Sequence, residues 1–354
     1  MQTSLLAFVF LFAVLQSLQA AEPTSIGPVV ISPVPKSPVP NSPVPKRPVP
    51  KSTTTLRVIT YNVQFLPEPV SFKNERPQPE YRARQISQKV GRFDLVALQE
   101  MFHDRYRAIL IDQLRTIWNG KLQALHSPTP KGFYTSGGCL LLTRLPMRDT
   151  SSLVFSVYSR PRDYGLRADG YAAKGVLHAR IAANAGEPDQ AIDVYVTHLE
   201  ARADQLRPRQ YAQMAKFINK TSDPNRPFLL LGDLNTKGQP EYQQDSHSQY
   251  AELFKQLRAA RPASRVIDVW PLLRGDALGG TTEQQSDQIG KRIDYVILGN
   301  PQPPHPQLTP VAIEVKTFQD SQVVALSDHN AVIATFEWPK KQNEKLPGTV
   351  QGPN

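Results

Sequence analysis

Cysteine is nearly absent. The 354 residues hold one, Cys139, which excludes an intrachain disulfide and any zinc site built from cysteines. Long apolar runs are also missing. The conspicuous stretch, LLAFVFLFAVLQSLQA at residues 5–20, is shorter than the roughly 20 residues a spanning helix needs. It ends in small residues, so residues 1–21 read as a secretory signal peptide cut near Ala20 or Ala21, which implies a secreted or periplasmic protein. The part expected to fold has only a small excess of one charge sign. The formal +10 divides into +3 over residues 1–51, +2 over 340–354 and +5 over 52–339. A remainder this mildly basic is weak grounds for a polyanion partner. Chain-wide disorder is excluded by 40% hydrophobic and only 20% charged residues.

Proline, in contrast, is plentiful, and 8 of the 33 prolines fall in four five-residue units, SPVPK SPVPN SPVPK RPVPK, over residues 32–51. Proline fixes φ and removes an amide donor, so residues 22–54 are expected to form a solvated polyproline II spacer. The repeat itself would be about 60 Å long at ~3.1 Å per residue. Residues 340–354 read as a flexible basic tail, leaving 55–339 as one folded domain.

Within 55–339, short β-branched runs recur between turn signals. Strands are expected at 56–66, 94–100, 138–145, 153–159, 172–181, 192–200, 227–234, 292–298, 311–318 and 331–338, and helices at 80–91, 103–118, 204–220 and 248–260. Many strands and few helices indicate an α+β fold, a two-sheet sandwich with helices on its outer faces.

Polar side chains gather at the strand ends. Asn62 follows an apolar run, Glu100 closes DLVALQE, and His198 closes DVYVTH. Asp233 and Asn235 end FLLLGDLN, Asp294 sits in RIDYVIL, and Asp328 and His329 precede AVIATFEW. Such residues meet at one rim of a sandwich. Oxygen donors such as Glu100 and Asn62 suit Mg²⁺, which takes one or two carboxylates and keeps several waters. Imidazoles and acids nearby suit phosphate-ester hydrolysis. His329 is the expected general base, because an imidazole accepts a proton near neutral pH. Asp294 would orient it, unless Asp294 pairs with Arg292 or Lys291.

Six motifs in order, TYNVQFL, ALQEMF, THLEA, GDLN, RIDYVIL and SDHNAV, resemble the endonuclease/exonuclease/phosphatase superfamily with its deoxyribonuclease-like fold. Within it, LPEP, QEMF, GGCLLLTRLPM and above all DGYAAKGVLHARI look most like neutral and bacterial sphingomyelinases. That resemblance implies Mg²⁺ at Glu100 and Asn62, with Mn²⁺ or Co²⁺ able to substitute, and Asp328 bound directly or through water. It implies Asp233 orienting the nucleophile, with His198, Asn235 and Lys174 stabilising the phosphoryl oxygens. Asp169 would pair with Lys174 as in neutral sphingomyelinases. The implied activity is phospholipase C-type cleavage of sphingomyelin or a related choline phospholipid at a membrane surface, by a monomer without a stable nucleic-acid partner. A secreted deoxyribonuclease or broad phosphodiesterase is the alternative. One departure stands out: residues 272–291 contain no aromatic residue, whereas secreted bacterial sphingomyelinases carry an aromatic hairpin that dips into membranes.

Overall fold

The computed structural model describes residues 53–67, 76–165, 168–182, 190–283 and 289–339. The expected leader and tail, all but the last two residues of the expected spacer, the end of LPEP and part of 272–291 lie outside the described residues. In chain order the elements are β1 (Thr53–Phe65), α1 (Pro79–Val90), β2 (Leu95–Met101), α2 (Asp104–Ile117), β3 (Gln123–His126), β4 (Thr135–Ser136), β5 (Leu140–Thr143) and β6 (Met147–Val154). Then follow α3 (Pro161–Tyr164), β7 (Ala172–Ala173), β8 (Gly175–Ala182), β9 (Ala191–His198), α4 (Arg207–Thr221) and β10 (Phe228–Asp233). The chain closes with α5 (Pro240–Gln244), α6 (Gln249–Ala260), β11 (Ser264–Asp268), α7 (Val269–Arg274), β12 (Asp294–Pro301), β13 (Thr309–Lys316) and β14 (Ala331–Pro339).

Two six-stranded sheets form, one ordered β13-β14-β1-β2-β5-β3 and the other β11-β12-β10-β9-β8-β6. Each holds one parallel pair at its centre, β1 with β2 and β9 with β10. A parallel pair cannot be joined by a tight turn; α1 supplies the first crossover and α4 the second. Proline starts both helices, at Pro79 and Pro208, where a missing amide costs nothing. Ser248 caps α6 by accepting the Ala251 amide at 3.1 Å.

The central strands are apolar on both faces because both faces are covered. In β9, Ile192, Val194 and Val196 join Val58, Leu141, Leu231 and Val296 between the sheets. Ile59, Tyr61 and Val63 of β1 instead meet Ala83, Ile86 and Val90 of α1 and Leu110 and Leu114 of α2 on one outer face. Tyr195 and Leu230 meet Tyr211, Met214 and Ile218 of α4 and Leu253 and Leu257 of α6 on the other. The short α7 differs, adding Val269 and Trp270 to the layer between the sheets.

Strands β3, β6 and β11 were not expected where they lie. All three are sheet edges, and edges carry polar residues that mask the alternation used to find strands; β6 reads MRDTSSLV. The segment expected as a strand at 153–159 pairs only as far as Val154, opposite Gly175. A Cβ at Gly175 would lie 1.9 Å from the Leu153 carbonyl oxygen, so only glycine allows that approach. The strand expected at 172–181 is broken at Lys174: Ala172 and Ala173 pair with β4, and β8 begins at Gly175.

Candidate active site

The parallel pairs send β1, β2, β9 and β10 to end at one rim, and their antiparallel neighbours β12, β14 and β8 begin there. In register, Asp233 lies opposite both His198 and Asp294. The topology therefore gathers Asn62, Glu100, His198, Asp233, Asp294 and His329 from segments as far apart as residues 62 and 329. Two rim residues need unusual backbone to aim their side chains: Glu100 has φ 57° and Asn235 φ 48°, conformations that cost an L-residue about 1–2 kcal/mol. Gly232, at φ 145°, sits where a Cβ would come within 2.0 Å of the Thr197 carbonyl oxygen, which explains the glycine of GDLN.

His329 donates from Nδ1 to Asp294 Oδ2 at 2.8 Å, and its Nε2 lies 3.8 Å from Asp233 Oδ2. The alternative pairing of Asp294 with Arg292 does not occur, because Arg292 binds Asp268 at 2.9 Å. Burial opposes charge on His329, but Asp294, Asp233 and Asp328 outweigh it and hold the imidazole pKa well above 6.5. Burial and the neighbouring Asp294 charge push Asp233 up to about 7.

His198 lies on the other side of Asp233, with Nε2 3.6 Å from Asp233 Oδ2 and 3.9 Å from Glu100 Oε1. Burial and the Lys174 cation depress its pKa well below 6.5, so it is neutral. Lys174 is buried rather than a solvated strand end. It donates to Asp169 Oδ2 at 2.7 Å and Leu199 O at 2.9 Å, and meets His198 Nε2 at 3.2 Å. Burial would lower the lysine pKa, but Asp169 overcomes it and raises it. Asp169 is itself held near 2, against burial, by the Lys174 charge and the Ala201 amide. With Lys174 donating to Nε2, His198 acts as an acceptor and the lysine is the positive group of this corner. Asn235 donates from Nδ2 to Leu199 O at 3.1 Å and from its backbone to Asp233 Oδ1 at 2.9 Å.

Asn62 donates to Asp233 Oδ2 at 3.2 Å and accepts the Gln64 amide at 3.2 Å. Glu100 is raised above the usual carboxylate range by burial and the Asp328 charge. Asp328 accepts from Ser327 Oγ at 3.3 Å. A divalent cation fits this crowding of carboxylates, which raises the pKa values of Glu100 and Asp233, and Asp294 Oδ1 is buried without a hydrogen-bond partner. Asp233, Asp294 and His329 each offer an atom within 4.8 Å of the others and so form a possible metal site beside the expected Glu100, Asn62 and Asp328. A hard ion would find oxygen donors at Glu100 and Asn62 without breaking the Asp294–His329 pair.

Four supporting residues went unrecognised in the sequence. The fully buried Arg82 donates to Leu326 O at 2.8 Å and to the carbonyls of Val63 and Gln64, clamping the Asn62 strand end to the Asp328–His329 loop. Buried Glu200 accepts from the backbone and hydroxyl of Ser159, both at 2.9 Å. Ser159 Oγ in turn receives the Asp169 amide at 2.8 Å. Thr281 Oγ1 receives the Asp294 amide at 3.2 Å while its carbonyl receives that of Asn330 at 2.6 Å. Only Glu200 lies inside a motif, THLEA; Arg82, Ser159 and Thr281 lie in none.

A sequence profile of the Endonuclease/Exonuclease/phosphatase family matches residues 59–329. Sphingomyelinase C of Bacillus cereus is 24% identical over 327 residues, covering 80% of this chain and 89% of that protein. A mutant beta toxin from Staphylococcus aureus with bound magnesium ions aligns with a TM-score of 0.55 at 18% identity, over 81% of this chain and 100% of that one. TDP2 from D. rerio, complexed with a single-strand DNA product, aligns with a TM-score of 0.57 at 16% identity, over 80% and 99%. At these identities the likeness is one of fold, and it covers both sheets. The family match runs from β1 to His329 and takes in every rim residue: the chain belongs to the endonuclease/exonuclease/phosphatase family, phosphoester hydrolases by class.

Proposed function

We propose that this protein is a secreted, Mg²⁺-dependent phosphodiesterase of the phospholipase C type that splits sphingomyelin, or a related choline phospholipid, into ceramide (or diacylglycerol) and phosphocholine. The observation that carries this reading is the buried Lys174–Asp169 pair at 2.7 Å, with Lys174 against His198 beside the Asp233–His329–Asp294 cluster. The similarity to sphingomyelinase C over most of that enzyme's length supports the lipid substrate.

In this reading Glu100 and Asn62, with Asp328, would hold the ion. Bound there, Mg²⁺ would neutralise charge on a phosphoryl oxygen. His329 works as base once its proton is lost: Nε2 takes a proton from the attacking water while Asp294 holds the imidazolium that forms. Asp233 orients the water. Lys174, held by Asp169, stabilises the negative charge that builds on the phosphoryl oxygens, with His198 and Asn235 on the same side.

A turnover panel of sphingomyelin, phosphatidylcholine, inositol phosphates and plasmid DNA, each with Mg²⁺ and with EDTA, tests the assignment. Fastest phosphocholine release from sphingomyelin is the expected result. DNA cleavage at rates comparable to lipid would favour the nuclease reading, to which the likeness to a DNA-bound TDP2 lends its one specific support.

A further inference from the structure

A lipid with two chains does not leave its bilayer to be cleaved, so an enzyme acting on it must rest on the membrane beside its own rim. The stretch 272–291 exposes Leu272, Leu278 and Ile289 but holds no aromatic residue to sit at the head-group level. Another surface does. An open cleft of about 650 Å³ is lined by Phe133, Tyr134, Tyr158, Arg160, Arg162 and Tyr171. Tyr134 is 63% and Tyr171 37% exposed, the two most exposed aromatic residues among the described large hydrophobics. Phe133 and Tyr158 pack edge to face at 5.3 Å and form the floor. Lys131 and Arg160 are exposed at its margin, and Arg162 pairs with Asp163 at 3.1 Å, so cations outnumber acids along the edge.

This cleft is mechanically continuous with the rim. Tyr171 closes the 3₁₀ turn that begins at Asp169, the partner of Lys174. Its carbonyl accepts the Tyr134 amide at 2.9 Å, and β4 and β7 then pair Thr135 with Ala172 and Ser136 with Ala173. On the other side, Tyr158 precedes Ser159, which links Asp169 to Glu200. Both walls are therefore tied to the residues that set Lys174.

We propose that this tyrosine–arginine surface is where the protein docks on a phospholipid bilayer. Tyrosines suit the head-group level, where an apolar ring and a polar tip are both satisfied, and the flanking cations complement lipid phosphates. The inference rests on the lipid reading above, but its test is separable because binding is measured without turnover. Full-length protein in EDTA is sedimented with phosphatidylcholine vesicles with and without phosphatidylserine, and the same variants are assayed on water-soluble bis(p-nitrophenyl) phosphate with Mg²⁺. Tyr134→Ala/Tyr171→Ala and Arg160→Glu should each weaken vesicle partitioning about tenfold or more, while soluble-diester turnover stays within twofold of wild type. Tyr134→Trp should keep partitioning, which reads the surface even if the double alanine variant fails to fold. Wild-type protein that stays in the supernatant, or variants that partition like wild type, would overturn the proposal. So would a variant defect confined to duplex DNA binding. A protein that binds vesicles through these residues yet spares sphingomyelin would leave the docking surface standing and sink the substrate assignment instead.

Discussion

Replacing Asp294 by Asn changes one charge at the point where the chemistry depends on it. Asp294 Oδ2 receives the His329 Nδ1 proton at 2.8 Å, fixing the tautomer that leaves Nε2 free to accept. An asparagine in the same place can offer its own N–H to Nδ1, which moves the imidazole proton to Nε2 and blocks the base. The charge matters as well. Two unit charges 4 Å apart interact by about 4 kcal/mol at an effective dielectric of 20, and this attraction is the largest of those that, with Asp233 and Asp328, hold His329 well above 6.5 against burial. Without it the His329 pKa falls. A positioned base contributes about 10²–10⁴ in rate, roughly 3–5.5 kcal/mol at 1.36 kcal/mol per tenfold, and turnover of Asp294→Asn should fall by that factor. Backbone support from Thr281 Oγ1 at 3.2 Å is unaffected, so the fold should hold. The assay is phosphocholine release across pH, with the His329 ring followed by NMR in EDTA. Turnover within threefold of wild type, or a His329 pKa that does not drop, would refute the role assigned to this pair.

Glu100→Gln should weaken Mg²⁺ activation at least tenfold by titration of activity, whereas equal metal dependence would move the ion to the Asp233, Asp294 and His329 set. Lys174→Met should raise the His198 pKa, because the lysine cation stands next to burial among the causes that depress it; NMR titration reads the shift. His329 has a folded pKa above its unfolded value near 6.5, so its stabilising contribution is complete below pH 6.5 and lost as pH rises through the folded value. The gap in thermal stability between wild type and His329→Gln should accordingly narrow as pH increases above 6.5. Arg82→Met leaves three buried carbonyls without their donor and should destabilise by about 3 kcal/mol in denaturant unfolding, with stability equal to wild type arguing against the clamp.

How much of this was legible in the sequence depended on where each residue sits. The central strands were readable because β1, β2, β9 and β10 are apolar on both faces and end in polar residues. Asn62, Glu100, His198 and Asp233 are therefore legible near the ends of these strands, and Asp294 and His329 at the start of β12 and just before β14. Edge strands β3, β6 and β11 were hidden because solvent on one side relaxes the pattern. Lys174 was legible as a candidate but not as a buried group, because nothing local reveals that β7 and β8 split around it or that Asp169, His198 and Leu199 converge on its amine. Arg82 and Thr281 were illegible for a related reason: each acts through carbonyls or amides brought close only by tertiary folding, Arg82 to Leu326 across 244 positions of sequence.

The central claim is that this rim hydrolyses a choline phospholipid with His329 as base and a divalent ion in place. Phosphocholine released from sphingomyelin vesicles, measured for wild type with Mg²⁺, wild type with EDTA and His329→Ala with Mg²⁺, tests it most directly. The account predicts release by the first alone, with the variant down by about 100-fold or more. Release that persists in EDTA, or that survives the loss of His329, would contradict it.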